Sequence, residues 1–221
     1  MKKDGLNYFH AVEFAHSNRQ FANGWLGNEN RRRSLVSDLM LIIKRHVFRK
    51  FCNVVINEAL TDDMSTSTRK RYYINAYSLA ARTCAARIRE WLKEQNWETS
   101  LRLVFEKGDV GAGELSRSLI RDGFDDPRYQ PKTDSIDANG NVRLAPTALQ
   151  AADWFAYEVL LATKRNNTDR WPMKEFLSTP GPMGIYESRD IERLTKFLDT
   201  PLDEILTGDL WVDVSKLGIR R

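Results

Sequence analysis

Residues 149–158 read Leu-Gln-Ala-Ala-Asp-Trp-Phe-Ala-Tyr-Glu, and the interpretation of the fold starts from this stretch. Thr147 with Gln150 three residues later has the pattern of a capping box, which predicts a helix that extends to about residue 164. One face of this helix carries Leu149, Asp153, Ala156 and Leu160. Asp153 is therefore predicted to lie in an apolar stripe, where a carboxylate is costly unless it is paired or bound to a metal. The alternative is a residue at the edge of the stripe that is hydrogen-bonded to a neighbouring loop.

Predicted helices and strands alternate along the rest of the chain. Apolar spacing predicts helices over residues 31–51, 68–95, 114–121 and 187–198, strands over 53–58, 101–106 and 128–137, a hairpin arm at 142–144 after Asn139-Gly140, and a loop over 61–68. Strands separated by helices favour parallel pairing, because the crossover needs a dozen or more residues. The predicted fold class is α/β, with residues 166–221 as a small, proline-containing helical tail.

Composition excludes several classes of protein. The 221 residues are 42% hydrophobic, which is too much for a disordered chain. No apolar run approaches the roughly 20 residues that a membrane helix needs, so no membrane partner is predicted. Two cysteines, Cys52 and Cys84, cannot build a disulfide framework. We therefore expect a cytoplasmic protein of unknown oligomeric state.

A second candidate site lies after the strand predicted over residues 101–106. Glu106 ends this strand, and Asp109 follows three residues later in a glycine-rich turn. Two carboxylates at the end of a strand are plausible ligands for a divalent cation, since Mg²⁺ prefers hard oxygen ligands. The alternative is an ordinary polar turn.

Basic residues recur in short runs at residues 31–33, 44–46 and 69–71, the last followed by Tyr72-Tyr73. The net charge is only +4, which permits a polyanionic partner without requiring one. Such runs can contact the phosphates of nucleic acid, and neighbouring aromatic rings can stack on unpaired bases. The alternative is a solvated helix face.

Residues 149–158 resemble the signature helix of the uncharacterised family called domain of unknown function 3800. Val104-Phe105-Glu106 resembles the second acidic strand of that family, and Phe9-His10-Ala11 is similar to its early histidine segment. The resemblance covers residues 1–165, which are predicted as one domain. It implies a ribonuclease H-like sheet flanked by helices, in which Glu106 and Asp153 match the acidic positions.

The same resemblance implies metal-dependent phosphodiester hydrolysis of nucleic acid, with Mg²⁺ or Mn²⁺ as the cofactor. Glu106 and Asp153 would be catalytic metal ligands, and Asp109 would be a third ligand. His10 would be an auxiliary residue of the site. Gln150 would orient a ligand or touch the substrate, and Lys132 would meet a phosphate; for both, a solvated side chain is the alternative.

Members of the family open with a strand that ends in an Asp-Glu-Ser type motif, and this chain has no such strand. The predicted domain is therefore N-terminally incomplete and lacks one carboxylate of the cluster. This departure leaves two alternatives to a nuclease. One is a non-catalytic module that binds nucleic acid, a nucleotide or a protein partner, and the other is a truncated relic.

Overall fold

The structure, a computed structural model, describes residues 6–131, 135–136, 142–143 and 147–200. These residues form two compact units, each assembled from separate stretches of chain. The first unit comprises the described residues of 1–50, 104–107 and 129–180, and the second those of 51–103, 108–128 and 181–221. Each unit is described by itself below.

The elements follow one another in an α/β order. The helices of the described residues are α1 Ala11–Ala15, α2 Glu29–His46, α3 Asn57–Asp63, α4 Thr66–Tyr72, α5 Ala76–Glu94, α6 Ala112–Arg121, α7 Thr147–Arg165, α8 Trp171–Ser178 and α9 Ser188–Asp199. The strands are β1 Cys52–Val55, β2 Val104–Glu106, β3 Arg128–Gln130, β4 Ser135–Ile136, β5 Val142–Arg143 and β6 Met183–Tyr186. They pair as β1 with β6, β2 with β3 and β4 with β5.

Aromatic rings form the core of the first unit. Phe9 packs against Trp154 of α7 at a centroid distance of 5.3 Å and edge-on against Phe21 at 6.1 Å. Trp154 in turn meets Phe176 of α8 edge-on at 5.3 Å. All four rings are buried, and edge-to-face pairs add about 0.5–1.5 kcal/mol each to the burial of their surface. This cluster joins the segment before α1 to α7 and α8.

The second unit is built on the parallel pair of β1 and β6. Cys52 lies opposite Met183 and Val55 opposite Tyr186, so the two strands are in register over their whole length. Helix α5 packs against β1, and α3 and α9 pack against each other. The largest contributors to the core of this unit are Leu60, Met64, Leu79, Tyr186 and Ile191. The predicted preference for parallel pairing is confirmed in this sheet.

Several predicted elements are confirmed with shifted ends. The helix predicted over 31–51 is α2, the one predicted over 147–164 is α7, and the predicted hairpin arm is the antiparallel pair of β4 and β5. The fold class α/β is therefore confirmed. In the described part of the chain the strands form two-stranded sheets.

The prediction of a loop over residues 61–68 is wrong. Helix α3 extends to Asp63, and α4 begins at Thr66 with the side chain of Ser65 accepting a hydrogen bond from the backbone N–H of Thr68. The run of Ser, Thr and Asp resembles a loop in composition. Here these residue types cap a helix instead, because their side-chain oxygens replace missing backbone acceptors.

The single helix predicted over residues 68–95 is interrupted. Tyr73 adopts a left-handed conformation with φ of 55° and ends α4. Asn75 and Ser78 then form a capping box that starts α5, each side chain accepting the other's backbone N–H. The continuous apolar spacing across this point concealed the cap.

The small helical tail predicted over residues 166–221 contains a strand, β6, and its residues 201–221 lie outside the described part of the chain. Residues 183–186 form a strand, although prolines and a glycine surround it in the sequence. At Gly184 a Cβ atom would lie 2.8 Å from Oδ1 of Asn53, so this position admits no side chain without a shift of Asn53. The predicted division of the chain at residue 165 stays a prediction.

None of the helices in the described ranges is both long enough and apolar enough to cross a bilayer.

Candidate functional site

Helix α7 buries a different face from the predicted one. Its buried residues are Trp154, Glu158, Val159 and Ala162, whereas Ala156 and Leu160 are exposed. The prediction that Asp153 lies in an apolar stripe is therefore wrong. Its side chain is 26% exposed and lies at the edge of the buried face, as the alternative interpretation has it. The packing of Trp154 against Phe9 and Phe176 determines which face of the helix turns inward.

Asp153 and Gln150 hold the segment before α1. Oδ2 of Asp153 accepts the backbone N–H of Ala11 at 3.0 Å, and Oε1 of Gln150 accepts that of Phe9 at 2.9 Å. Phe9 and Ala11 are buried, so their N–H groups need acceptors within the protein. His10 is the N-cap residue of α1, but its side chain makes no cap hydrogen bond. Asp153, which lies on α7, caps α1 instead.

His10 lies between two carboxylates. Its Nε2 is 3.7 Å from Oδ1 of Asp153, and its Nδ1 is 3.3 Å from Oε1 of Glu13 without meeting hydrogen-bond geometry. Tyr8 donates its hydroxyl to Oε2 of Glu13 at 2.8 Å, and Arg19 lies 3.3 Å from Oε1. Burial, and to a lesser extent the hydrogen bond to Glu13, raise the pKa of Tyr8, so its phenol stays protonated and donates. Asp153, His10 and Glu13 thus form one connected polar group.

Glu106 is brought to the same unit as Asp153. It ends β2, which contacts α7, and its side chain is half-buried. Asp109 lies in the second unit, exposed in the turn before α6, where its carbonyl accepts the N–H of Ala112. Lys132 falls outside the described residues. The structure thus places Glu106, Asp153, His10 and Gln150 in one unit.

Glu106 and Asp153 could hold a magnesium ion only in a site with few protein ligands. Among the residues that the structure describes, no three His, Cys, Asp or Glu side chains converge on a point that could hold a metal. Mg²⁺ is commonly held through one or two carboxylates, with water and substrate phosphates completing its shell. On Asp153, Oδ2 is engaged by Ala11, whereas Oδ1 faces His10. A cation at Asp153 would therefore share Oδ1 with the imidazole of His10.

The most deeply buried carboxylate of α7 is Glu158, which the sequence analysis missed. Its side chain is 2% exposed and accepts two hydrogen bonds from the guanidinium of Arg170, at 2.8 and 3.0 Å. Trp154 donates its indole N–H to the same carboxylate at 3.4 Å. The bonds to Glu158 raise the pKa of Arg170. A glutamate four residues after a buried tryptophan is the signal that could have identified this pair.

An open cavity of about 480 Å³ lies where α2 and α8 end in the first unit. Its lining includes Lys44, His46, Phe48 and Thr179. Lys44 pairs with Glu175, and the buried ammonium of Lys50 donates to the carbonyls of Leu177 and Thr179. None of the predicted site residues that the structure describes lines the cavity. It is therefore not part of the candidate site around Asp153.

Comparison of the chain with protein-family models, with curated proteins and with solved structures found no match. The resemblance of residues 149–158 to domain of unknown function 3800 accordingly stays a prediction.

Replacing Asp153 separates its structural function from its charge. Asp153→Ala leaves the buried N–H of Ala11 without an acceptor, and we expect it to lower the free energy of unfolding by about 1–3 kcal/mol. Asp153→Asn keeps an oxygen acceptor and should cost less than half as much. Urea unfolding followed by tryptophan fluorescence measures both, with the exposed Asp38→Ala as the control. Equal losses for the Ala and Asn variants would contradict the acceptor function.

Removing the partner of Glu158 should also destabilise the first unit. Arg170→Gln leaves a buried carboxylate without its cation, and we expect a loss of about 2 kcal/mol, below the value for a fully buried pair because Arg170 is partly exposed. Arg165→Gln, at the exposed end of α7, is the matched control and should change stability by less than about 0.5 kcal/mol. Thermal unfolding by circular dichroism compares the two variants; equal melting temperatures would contradict this account.

Proposed function

We propose that the first unit is a divalent-cation-dependent phosphodiesterase centre acting on nucleic acid, with a ribonuclease H-like arrangement around α7. The observation that supports it is the contact between β2, which ends on Glu106, and α7, which carries Asp153. A Mg²⁺ or Mn²⁺ site that also uses substrate phosphates needs one or two protein carboxylates, and these two elements carry two within one unit. The resemblance of both segments to one family is consistent with this choice.

In this proposal Glu106 and Asp153 hold the cation through their carboxylate oxygens. A cation bound there would supply an activated water and would neutralise the charge that develops on the leaving oxygen. His10 lies against Oδ1 of Asp153, and the N–H of Ala11 holds Oδ2, so the carboxylate is fixed in one orientation from two sides. Gln150 fixes the neighbouring residue Phe9 and acts as a positioning residue.

Asp109 and Lys132 are not needed for this centre. Asp109 belongs to the second unit, and Lys132 lies outside the described residues. Their predicted functions as a third ligand and as a phosphate contact stay predictions.

The second candidate function is a non-catalytic binding module for nucleic acid. The observation that favours it is that Asp153 and Gln150 hold the segment before α1. Both residues therefore have a structural function that does not require catalysis. In that case the α7 residues are purely structural, and the affinity for nucleic acid does not depend on a divalent cation.

A cleavage assay distinguishes the two functions. The 221-residue chain is incubated with labelled single-stranded and duplex DNA and RNA, in Mg²⁺ or Mn²⁺ and again in EDTA. We expect cation-dependent cleavage that Asp153→Asn and Glu106→Gln each lower by about 100-fold, equivalent to about 3 kcal/mol of transition-state stabilisation. Asp38→Asn, an exposed carboxylate of the same unit, should leave cleavage unchanged.

Asp153→Asn is the informative variant because it keeps the acceptor for Ala11 and removes the charge. Full activity in this variant, or cleavage that persists in EDTA, would overturn the proposal. Cation-independent binding without cleavage would favour the non-catalytic module.

A further inference from the structure

Three arginines of the second unit, one at the end of α4 and two on α6, lie within cation–π distance of two tyrosines. The guanidinium carbons of Arg71 and Arg121 lie 5.4 and 4.7 Å from the ring centre of Tyr72, and that of Arg117 lies 5.1 Å from the ring centre of Tyr73. We call these five residues the arginine–tyrosine surface. The three arginines are exposed, and the two rings are half-buried.

Contacts on the buried side of the two tyrosines fix their rings. The hydroxyl of Tyr72 donates to the carbonyl of Leu198 at 2.8 Å, which fixes the ring against α9. Tyr73 occupies the left-handed position that ends α4, so its direction is set by the backbone. Arg121 also donates to the carbonyl of Arg71 at 3.2 Å, which ties α6 to α4. The guanidinium groups therefore project from a rigid base.

The charge of the surface is only partly compensated. Glu114 lies 3.6 Å from Arg117 on the exposed side of α6. The other nearby carboxylate, Asp122, accepts two hydrogen bonds from Arg82, at 2.7 and 2.9 Å. Lys70 adds another exposed cation on α4. The surface thus presents a local excess of positive charge in a chain whose net charge is only +4.

We propose that the arginine–tyrosine surface binds single-stranded nucleic acid. An exposed guanidinium that lies near an aromatic ring carries several N–H groups in a planar fork, and this fork matches phosphate oxygens. The outer face of the same plane can stack on an unpaired base, which a duplex does not offer. This surface lies in the second unit, so the inference extends the proposed function to a binding partner without depending on the cation site.

Fluorescence anisotropy with a labelled oligothymidylate, measured in EDTA, tests the inference. We expect the triple variant Arg71→Gln, Arg117→Gln, Arg121→Gln to bind at least about 10-fold more weakly. Its salt dependence should also fall, because each lost phosphate contact removes about 0.7 from the slope of log K against log salt, or about 2 in total. A duplex of the same length should bind more weakly than the single strand.

The matched control removes the same charge elsewhere. The triple variant Arg102→Gln, Arg165→Gln, Arg189→Gln alters exposed arginines outside the surface and outside the basic runs, and it should leave both affinity and slope close to those of the unaltered chain. If both triple variants lost the same affinity, net charge alone would account for binding, and the inference would be overturned. Equal affinity for duplex and single strand would overturn its choice of partner.

A lysine series keeps the test decisive if the glutamine variant unfolds. Changing Arg71, Arg117 and Arg121 to Lys preserves the charge and the side-chain stems, so the salt slope should be retained while affinity falls about 3-fold or more. Unchanged affinity would contradict a function for the guanidinium planes. Because the assay measures binding in EDTA, where no cation-dependent cleavage can occur, its outcome separates failure of this inference from failure of the proposed hydrolysis.

Discussion

Two buried backbone N–H groups, those of Phe9 and Ala11, need acceptors that their own short segment does not supply. Helix α7 provides both, through Gln150 and Asp153. An unpaired buried donor costs about 1–3 kcal/mol, so these bonds determine where the segment before α1 lies. The aromatic cluster around Phe9 and the position of His10 depend on that placement. Asp153 therefore serves both the placement of this segment and the proposed cation site, whereas Gln150 serves the placement alone.

This double use gives Asp153 a particular chemistry. One oxygen is engaged by a backbone N–H, which fixes the carboxylate without neutralising its charge. The other oxygen faces His10, which in turn lies against Glu13. A carboxylate held in this way is preorganised, and preorganised ligands lose little entropy when a cation binds. The same geometry explains why the residue would persist in a protein without catalysis.

Much of the architecture could be predicted from the sequence because strong local signals determine it. The Thr147-Ala148-Leu149-Gln150 sequence at the start of α7 and the apolar spacing in α2 are of this kind. The predicted turn at Asn139-Gly140 lies outside the described residues. The buried face of α7 could not be predicted, since Ala156 and Leu160 are as apolar as the residues on the opposite face. Only the tertiary contacts of Trp154 decide between the two faces. The strand β6 was missed because its partner β1 lies more than a hundred residues earlier.

The sequence predicted which residues belong to the candidate site, but it did not predict their contacts. The sequence identified Asp153 and Glu106, and the structure brings both to the first unit. It did not identify the bond between Asp153 and the backbone of Ala11, because a contact across 142 residues leaves no local pattern. It also missed Glu158, whose partner Arg170 follows after the end of the helix.

Titration of the isotope-labelled chain with substoichiometric Mn²⁺, followed by NMR, tests the central claim most directly. A bound Mn²⁺ broadens the resonances of nearby amides, whatever the rate of any reaction. The account predicts that the amides of His10, Ala11, Glu106 and Asp153 broaden first and that Asp153→Asn abolishes the effect. Broadening that begins at other carboxylates, or that is unchanged in Asp153→Asn, would contradict it.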